Sequence, residues 1–182
     1  QLNNLTRSIQ LHISKDISTF SDELANWLVN HIHTTLQKQD RYTWAMSGGS
    51  TPKRLYELLA ASPFKEKIAW EKLHLFWGDE RDVPFDDARN NGKMAHDILL
   101  QHVPVPSNQI HYMRTDISPE QSAAEYEKIL RQYFNDTGTT FDLVMLGMGD
   151  DGHTLSLFPG TEVIHEKEKW VTAFYLPAQE MY

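Results

Sequence analysis

Short apolar runs alternate with amphipathic helical patterns along this chain, and the central runs end in polar or glycine-rich turns. Tyr42–Met46, Leu73–Trp77 and Phe141–Leu146 read as strands, and Phe141–Leu146 is the most apolar of them. Ser8–Ile13 and Val171–Phe174 read as a first and a late strand. Between them, Phe20–Leu36 reads as a helix with Phe20, Leu24, Trp27, Leu28 and Ile32 on one stripe. Pro52–Ala60 reads as a second helix, its proline in the first turn where no backbone donor is needed. Asp79–Asn90 is a polar loop, Gly92–Leu100 a further helix, and Pro119–Phe134 a helix with Ala123, Tyr126, Leu130 and Phe134 inward. Strand, short loop, helix, repeated in that order, predicts an α/β fold. The sheet is expected to be mainly parallel and doubly wound, with helices on both faces. Ligands of such sheets bind beyond the carboxyl ends of the strands, and the polar clusters of interest all follow strands at those ends.

A chain of 182 residues with 40% apolar side chains suits one domain with a real core. The net charge of −8 argues against a nucleic-acid partner, which calls for a basic stripe, and against an anionic membrane surface. An anionic ligand must then be captured by local groups. Cysteine is absent, so disulfides, thiolate catalysis and thiolate metal sites are excluded, and a reducing, cytoplasmic location is expected. No apolar run approaches the roughly 20 residues needed to span a bilayer, and Gln1–Gln10 lacks the apolar core of a signal peptide. Nothing in the composition addresses oligomeric state.

Three clusters carry chemistry. Ser47-Gly48-Gly49-Ser50-Thr51-Pro52 joins a strand to a helix. Its glycines allow close backbone approach, its hydroxyls and uncapped helix start offer donors, and together they suit a phosphate. It is not a Walker A loop, because no Gly-Lys-Ser/Thr follows. Trp77-Gly78-Asp79-Glu80-Arg81 closes a strand; Arg81 brings a planar cation for phosphate or carboxylate, and Asp79 a group for a sugar hydroxyl or proton transfer. Asp86, Asp87, Arg89, Asn90 and Asn91 follow as a loop able to close over a ligand. Gly147-Met148-Gly149-Asp150-Asp151-Gly152-His153-Thr154 formally fits G-x-G-x-x-G. Pro159-Gly160 halts any helix there and the acids repel a pyrophosphate, so no dinucleotide cofactor is expected. The cluster instead offers an imidazole two positions from a carboxylate able to fix its tautomer. Asp79, Asp150, Asp151 and His153 match no metal-site spacing, and no metal is expected. Each cluster alone also fits an ordinary capped turn.

In this order and at roughly these separations, the three runs resemble the 6-phosphogluconolactonase family, the third through Gly147-Met-Gly-Asp-Asp-Gly-His-Thr-Leu-Ser-Leu-Phe-Pro159. The resemblance covers nearly the whole chain. It implies a Rossmann-like α/β fold shared with glucosamine-6-phosphate isomerases/deaminases and hydrolysis of 6-phosphoglucono-δ-lactone in the oxidative pentose phosphate pathway, without metal or organic cofactor. It implies His153 as general base with Asp151 as partner. Gly48, Gly49, Ser50 and Thr51 would contact substrate or phosphate, Arg81 would supply positive charge, and Asp79 would line the site. Asn90 counts with this binding set, although Arg89-Asn90 stands where the family commonly has serine–asparagine. Leu155 replaces the usual alanine. The deaminase branch resembles G-H-I-A-F-N-E-P after the glycine turn, and the absence of an acid in Gly152–Pro159 favours the lactonase branch. The family continues beyond the position of Tyr182, so residues 1–182 are expected to form a single α/β domain lacking a C-terminal segment. Deamination of an amino-sugar phosphate and non-catalytic sugar-phosphate sensing are the alternatives, although no DNA-binding segment accompanies the latter.

Overall fold

Asp16 starts the first helix by accepting the Thr19 N–H on its carboxylate at 2.7 Å, so α1 runs Ile17–Leu36. The computed structural model of the chain describes residues 9–135, 138 and 140–182. After α1 come β1 (Tyr42–Met46), α2 (Ser50–Leu59), β2 (Leu73–Trp77), α3 (Asn91–Ile98), α4 (Pro119–Phe134) and β3 (Leu143–Val144), linked by short 3₁₀ turns. The strands form one parallel sheet in the order β2-β1-β3, with Tyr42 opposite Leu73 and Trp44 opposite Leu143. The chain is therefore α/β. Among the described residues no helix is long and apolar enough to cross a membrane.

Alternate residues of a strand face opposite sides of its sheet. Tyr42, Trp44 and Met46 with Leu73, Leu75 and Trp77 share the larger core with Ala25, Leu28 and Ile32 of α1, Leu55 and Leu59 of α2, and Ala95 of α3. Phe76 turns the other way, into a cluster with Tyr126, Leu130 and Phe134 of α4. Both faces of β1 and β2 are thus covered, which is why these strands read as mainly apolar runs, with Thr43 and His74 hydrogen-bonded among them. On α1 the buried stripe is Ser21, Ala25, Leu28 and Ile32. Trp27, expected inward, is largely outside and stacks on His31 with ring centroids 4.8 Å apart.

Two tyrosine hydroxyls finish the strands where the ladder stops. Tyr56 accepts the Ser47 N–H at 3.2 Å and donates to the Ser47 carbonyl at 2.8 Å, immediately after β1. Tyr126 accepts the Trp77 N–H at 2.8 Å and donates to the His111 carbonyl at 3.1 Å, at the end of β2. Both rings are buried, and burial raises both hydroxyl pKa values, keeping them protonated and able to donate. At the opposite end, the Asp142 carboxylate accepts the Thr43 N–H (2.7 Å) and hydroxyl (2.8 Å), pinning the entry of β3 beside β1.

Three expected strands differ. Residues 9–13 form no strand, and Ile9, Leu11 and Ile13 are exposed; Ser8 lies outside the described residues. Phe141–Leu146 shrinks to Leu143–Val144, with Leu146 exposed. Val171–Phe174 is not a strand, and the Val171 N–H turns to the Glu127 carboxylate at 3.4 Å. The reason is common to all three: an apolar run becomes a strand only beside a ladder partner. Among the described residues nothing pairs with the outer edge of β3.

Behind Phe76, the Tyr133 hydroxyl sits between His74 Nδ1 (2.9 Å) and His111 Nε2 (2.8 Å), with the Arg41 guanidinium over its ring. Burial, then the neighbouring His74, pushes His111 down to about 4; burial, then Arg41, also lowers His74. A histidine held below its unfolded value of about 6.5 binds fewer protons when folded. Its stabilising contribution is full above that value and is lost as pH falls towards 4. The urea midpoint should therefore drop between pH 6.5 and about 4, and His111→Phe, which keeps the ring stack on Phe76, should flatten that slope. Tyr56→Phe orphans two buried backbone groups, and each costs about 1–3 kcal/mol. Urea denaturation should show a loss of about 2–6 kcal/mol at neutral pH; a loss below about 0.5 kcal/mol would show that the hydroxyl is dispensable.

Candidate active site

The Ser47–Thr51 turn leaves the carboxyl end of β1. Gly49 has φ 103°, a left-handed conformation that side chains rarely adopt, and it caps α2 with no side-chain hydrogen bond. The first N–H groups of α2 are therefore uncapped by any side chain, and Ser50 and Thr51 are exposed beside them. Gly48 differs from its expected use. The space beside its α-carbon is filled by the side-chain amide of Asn91, which a methyl group at 48 would overlap.

The second turn is built around Glu80. Its Oε1 accepts the N–H groups of Arg81 and Asn91 and its Oε2 that of Gly92, all at 2.8 Å. A carboxylate thus caps the start of α3, where the helix dipole favours negative charge. Burial raises the Glu80 pKa against the downward pull of these three bonds. Arg81 directs Nη1 to the Arg89 carbonyl (3.1 Å) and to Asn91 Oδ1 (3.0 Å). Among the described residues no carboxylate lies within ion-pair distance of its guanidinium, and Nε and Nη2 meet no acceptor. Asp79 Oδ2 accepts the Ser156 hydroxyl at 2.6 Å, tying this turn to the third one. Asn90 is the N-cap of α3, accepting the Lys93 N–H at 2.7 Å; its side chain is buried and serves the helix.

In the third turn His153 Nδ1 lies 2.5 Å from Asp151 Oδ1, which also accepts the His153 N–H at 3.1 Å. These two bonds hold the Asp151 carboxyl below the usual range. A carboxylate only accepts, so Nδ1 carries a proton, and in the neutral ring Nε2 keeps its lone pair. The ring stacks on Phe158, with centroids 4.2 Å apart. Gly149 donates to the His153 carbonyl and Gly152 to the Gly149 carbonyl, both at 2.9 Å, closing a tight loop. Gly149 lies so close beneath the imidazole that a methyl group there would overlap it. Leu155 adopts φ 51° and lays its side chain on Gly78.

One cavity of about 610 Å³ is lined by Asp79, Glu80, Arg81, His153 and Ser156 among others. The second and third clusters therefore share a wall. Asp151 stands behind His153, outside the lining, and residues 48–51 are outside it as well; they meet the cavity wall through the Gly48–Asn91–Arg81 contact. Among the described residues no group of three or more His, Cys, Asp or Glu side chains is arranged to hold a metal ion.

The family described as glucosamine-6-phosphate isomerases/6-phosphogluconolactonase matches residues 15–181. The chain belongs to this family. A 6-phosphogluconolactonase of Nostoc sp. is 44% identical over 149 residues, covering 80% of this chain and 60% of the relative. The chloroplastic 6-phosphogluconolactonase 3 of Arabidopsis thaliana is 36% identical over 160 residues, covering 83% of this chain and 49% of the relative. The chain thus spans between about half and 60% of these relatives' length. The structure of 6-phosphogluconolactonase from Thermotoga maritima superposes with a TM-score of 0.78 at 29% identity, over 89% of this chain and 70% of that one. A monomeric glucosamine-6-phosphate deaminase shares the fold, with a TM-score of 0.67 at 18% identity over 80% of this chain and 58% of that one.

For this member of the glucosamine-6-phosphate isomerase/6-phosphogluconolactonase family, the sequence pointed to Asp79, Arg81 and His153 as neighbours, and they share a cavity. It named Asn91 only as part of a loop able to close over a ligand and gave Glu80 and Ser156 no role, yet these three join the turns. The legible signal was the acid in Asp79-Glu80-Arg81 followed by Asn90-Asn91-Gly92 at a helix start. Glu80→Gln replaces one acceptor oxygen by a donor that faces a backbone N–H. The variant should lose about 1–3 kcal/mol in chemical denaturation, and an unchanged midpoint would show that Glu80 is not what holds the start of α3.

Proposed function

We propose that this chain carries the catalytic part of a 6-phosphogluconolactonase, hydrolysing 6-phospho-D-glucono-1,5-lactone to 6-phosphogluconate. The observation that carries this reading is the Asp151-oriented His153 on the same cavity as Arg81, a cation with no acid partner among the described residues. The names of the relatives point the same way. The finer architecture we infer is a doubly wound, Rossmann-like sheet, a reading supported by β1 lying centrally and by apolar clusters on both faces. Residues 1–182 form one α/β domain in this proposal. A cysteine-free chain suits a reducing compartment such as the cytoplasm, and its net charge of −8 speaks against nucleic-acid or membrane partners.

A δ-lactone is an activated ester, so water suffices as nucleophile and no covalent intermediate or cofactor is required. His153 Nε2 takes the proton as water attacks the carbonyl carbon, while Asp151 fixes the tautomer and stabilises the imidazolium. The imidazolium then returns the proton to the departing ring oxygen. The negative charge that develops on the carbonyl oxygen needs aimed N–H donors. Gly149, Gly152 and His153 use theirs inside their own loop, which favours the uncapped start of α2 or Arg81 for anionic groups. Arg81 with Gly49, Ser50 and Thr51 forms the anion end of the site, Gly48 making room for Asn91 instead, and Asp79, steadied by Ser156, meets sugar hydroxyls. Binding the remote phosphate orients the ring for attack. Asn90 contributes by starting α3 rather than by touching substrate.

His153→Asn should lower lactone turnover by about 10²–10⁴-fold, the usual worth of a general base, with an unchanged thermal midpoint. Asp151→Asn should lower it by less, because the pair is open to solvent. Near-normal turnover in the His153 variant would remove the imidazole from the mechanism. Ammonia release from glucosamine 6-phosphate, measured in parallel, would instead point to the deaminase branch. The segment Gly152–Pro159, which carries no acid, argues against that outcome.

A further inference from the structure

Asn91 stands between the turns after β1 and β2, yet it is neither in the cavity lining nor free to solvent: the residue is 3% exposed. Its Oδ1 accepts Arg81 Nη1 at 3.0 Å, its Nδ2 donates to the Asp79 carbonyl at 3.1 Å, and its backbone N–H goes to Glu80 at 2.8 Å. The same amide fills the space beside Gly48 that any other residue there would occupy. One planar group therefore fixes the turn after β1 against the turn after β2.

We propose that Asn91 is the positioning residue of the anion end of the site, holding Arg81 in register with the start of α2; this rests on the lactonase reading above. An amide suits the task for an electrostatic reason. Arg81 Nη1 is steered by two neutral oxygens, those of Arg89 and Asn91, so its orientation is fixed while its charge stays uncompensated. A carboxylate in the same place would steer it equally well and cancel its field. Gly48 in turn is glycine because Asn91 needs the room, which couples two residues 43 positions apart.

The test compares the parent chain with Asn91→Ala, Asn91→Asp, Gly48→Ala and the Gly48→Ala/Asn91→Ala double variant. Each is measured for lactone hydrolysis, for calorimetric binding of 6-phosphogluconate and of inorganic phosphate, and for thermal midpoint. Asn91→Ala should raise KM and the product Kd by about 10-fold to 100-fold, the size of a lost hydrogen bond to a charged group, with kcat changed less than about threefold. Asn91→Asp, which keeps the volume, should weaken binding at least as much. Gly48→Ala should resemble Asn91→Ala, and the double variant should be no worse than Asn91→Ala alone, because the added methyl enters vacated space. Unchanged KM and Kd in both Asn91 variants, a loss confined to kcat, or additive effects of the two alanine changes would each overturn the proposal. A parent that binds 6-phosphogluconate but hydrolyses no lactone sinks the activity reading alone, and the binding comparison still decides Asn91. A parent that binds neither anion overturns both.

Discussion

Parallel strands end with backbone groups that their ladder cannot reach, and when those ends are buried some other group must satisfy them. Here two tyrosine hydroxyls do so, Tyr56 for Ser47 and Tyr126 for Trp77, one from each side of the sheet. A hydroxyl serves because it both donates and accepts, and burial keeps it protonated. The turns carrying Gly49 and Asp79–Arg81 begin one or two residues beyond these fixed points. Any precision in the site is inherited from strand ends that cannot fray without orphaning buried groups.

How much of this was legible in the sequence follows from which forces are local. β1, β2 and α4 fall on the expected residues because a strand buried on both faces is mainly apolar and because Ser118, Pro119 and Gln121 cap α4 in its own sequence. Residues 9–13 and 171–174 have strand-like composition, but a ladder is a property of two segments, and no partner lies beside them among the described residues. The same division holds at the site. Asp151 and His153 are two positions apart, and their pairing is a local event readable from spacing. The contacts of Asn91 span 12 positions to Asp79 and 10 to Arg81, and nothing in an Asn-Asn-Gly run distinguishes a buried bridge from a solvated loop. Gly48 carried a clue of the wrong kind: its small size signalled a close approach, but the approaching group is the protein's own amide.

A chain with a net charge of −8 that is to hold an anion must solve the problem within a few ångströms, since its overall field opposes the ligand. Three acids of the site are engaged by hydrogen bonds. Asp151 is bonded to His153, Asp79 to Ser156, and Glu80 to three backbone N–H groups. Arg81 is the counter-example, bonded only to neutral oxygens. Arg81 thus stands as a cation without an ion-pair partner among the described residues, the feature on which the proposed anion end rests.

The two glycine-rich turns then divide the chemistry according to where their N–H groups go. In the turn through His153, donors fold inward onto the carbonyls of Gly149 and His153 and the carboxylate of Asp151. That turn spends its hydrogen bonds on holding an imidazole, and the lone pair on Nε2 is what it offers outward. In the turn through Gly49 no side chain caps the helix, so the donors themselves are what it offers. A base needs a rigid cradle and an anion needs free N–H groups, and a single loop of this length supplies too few donors for both. In the proposed lactonase the turns after β1 and β3, two strands paired in parallel, divide these needs between them.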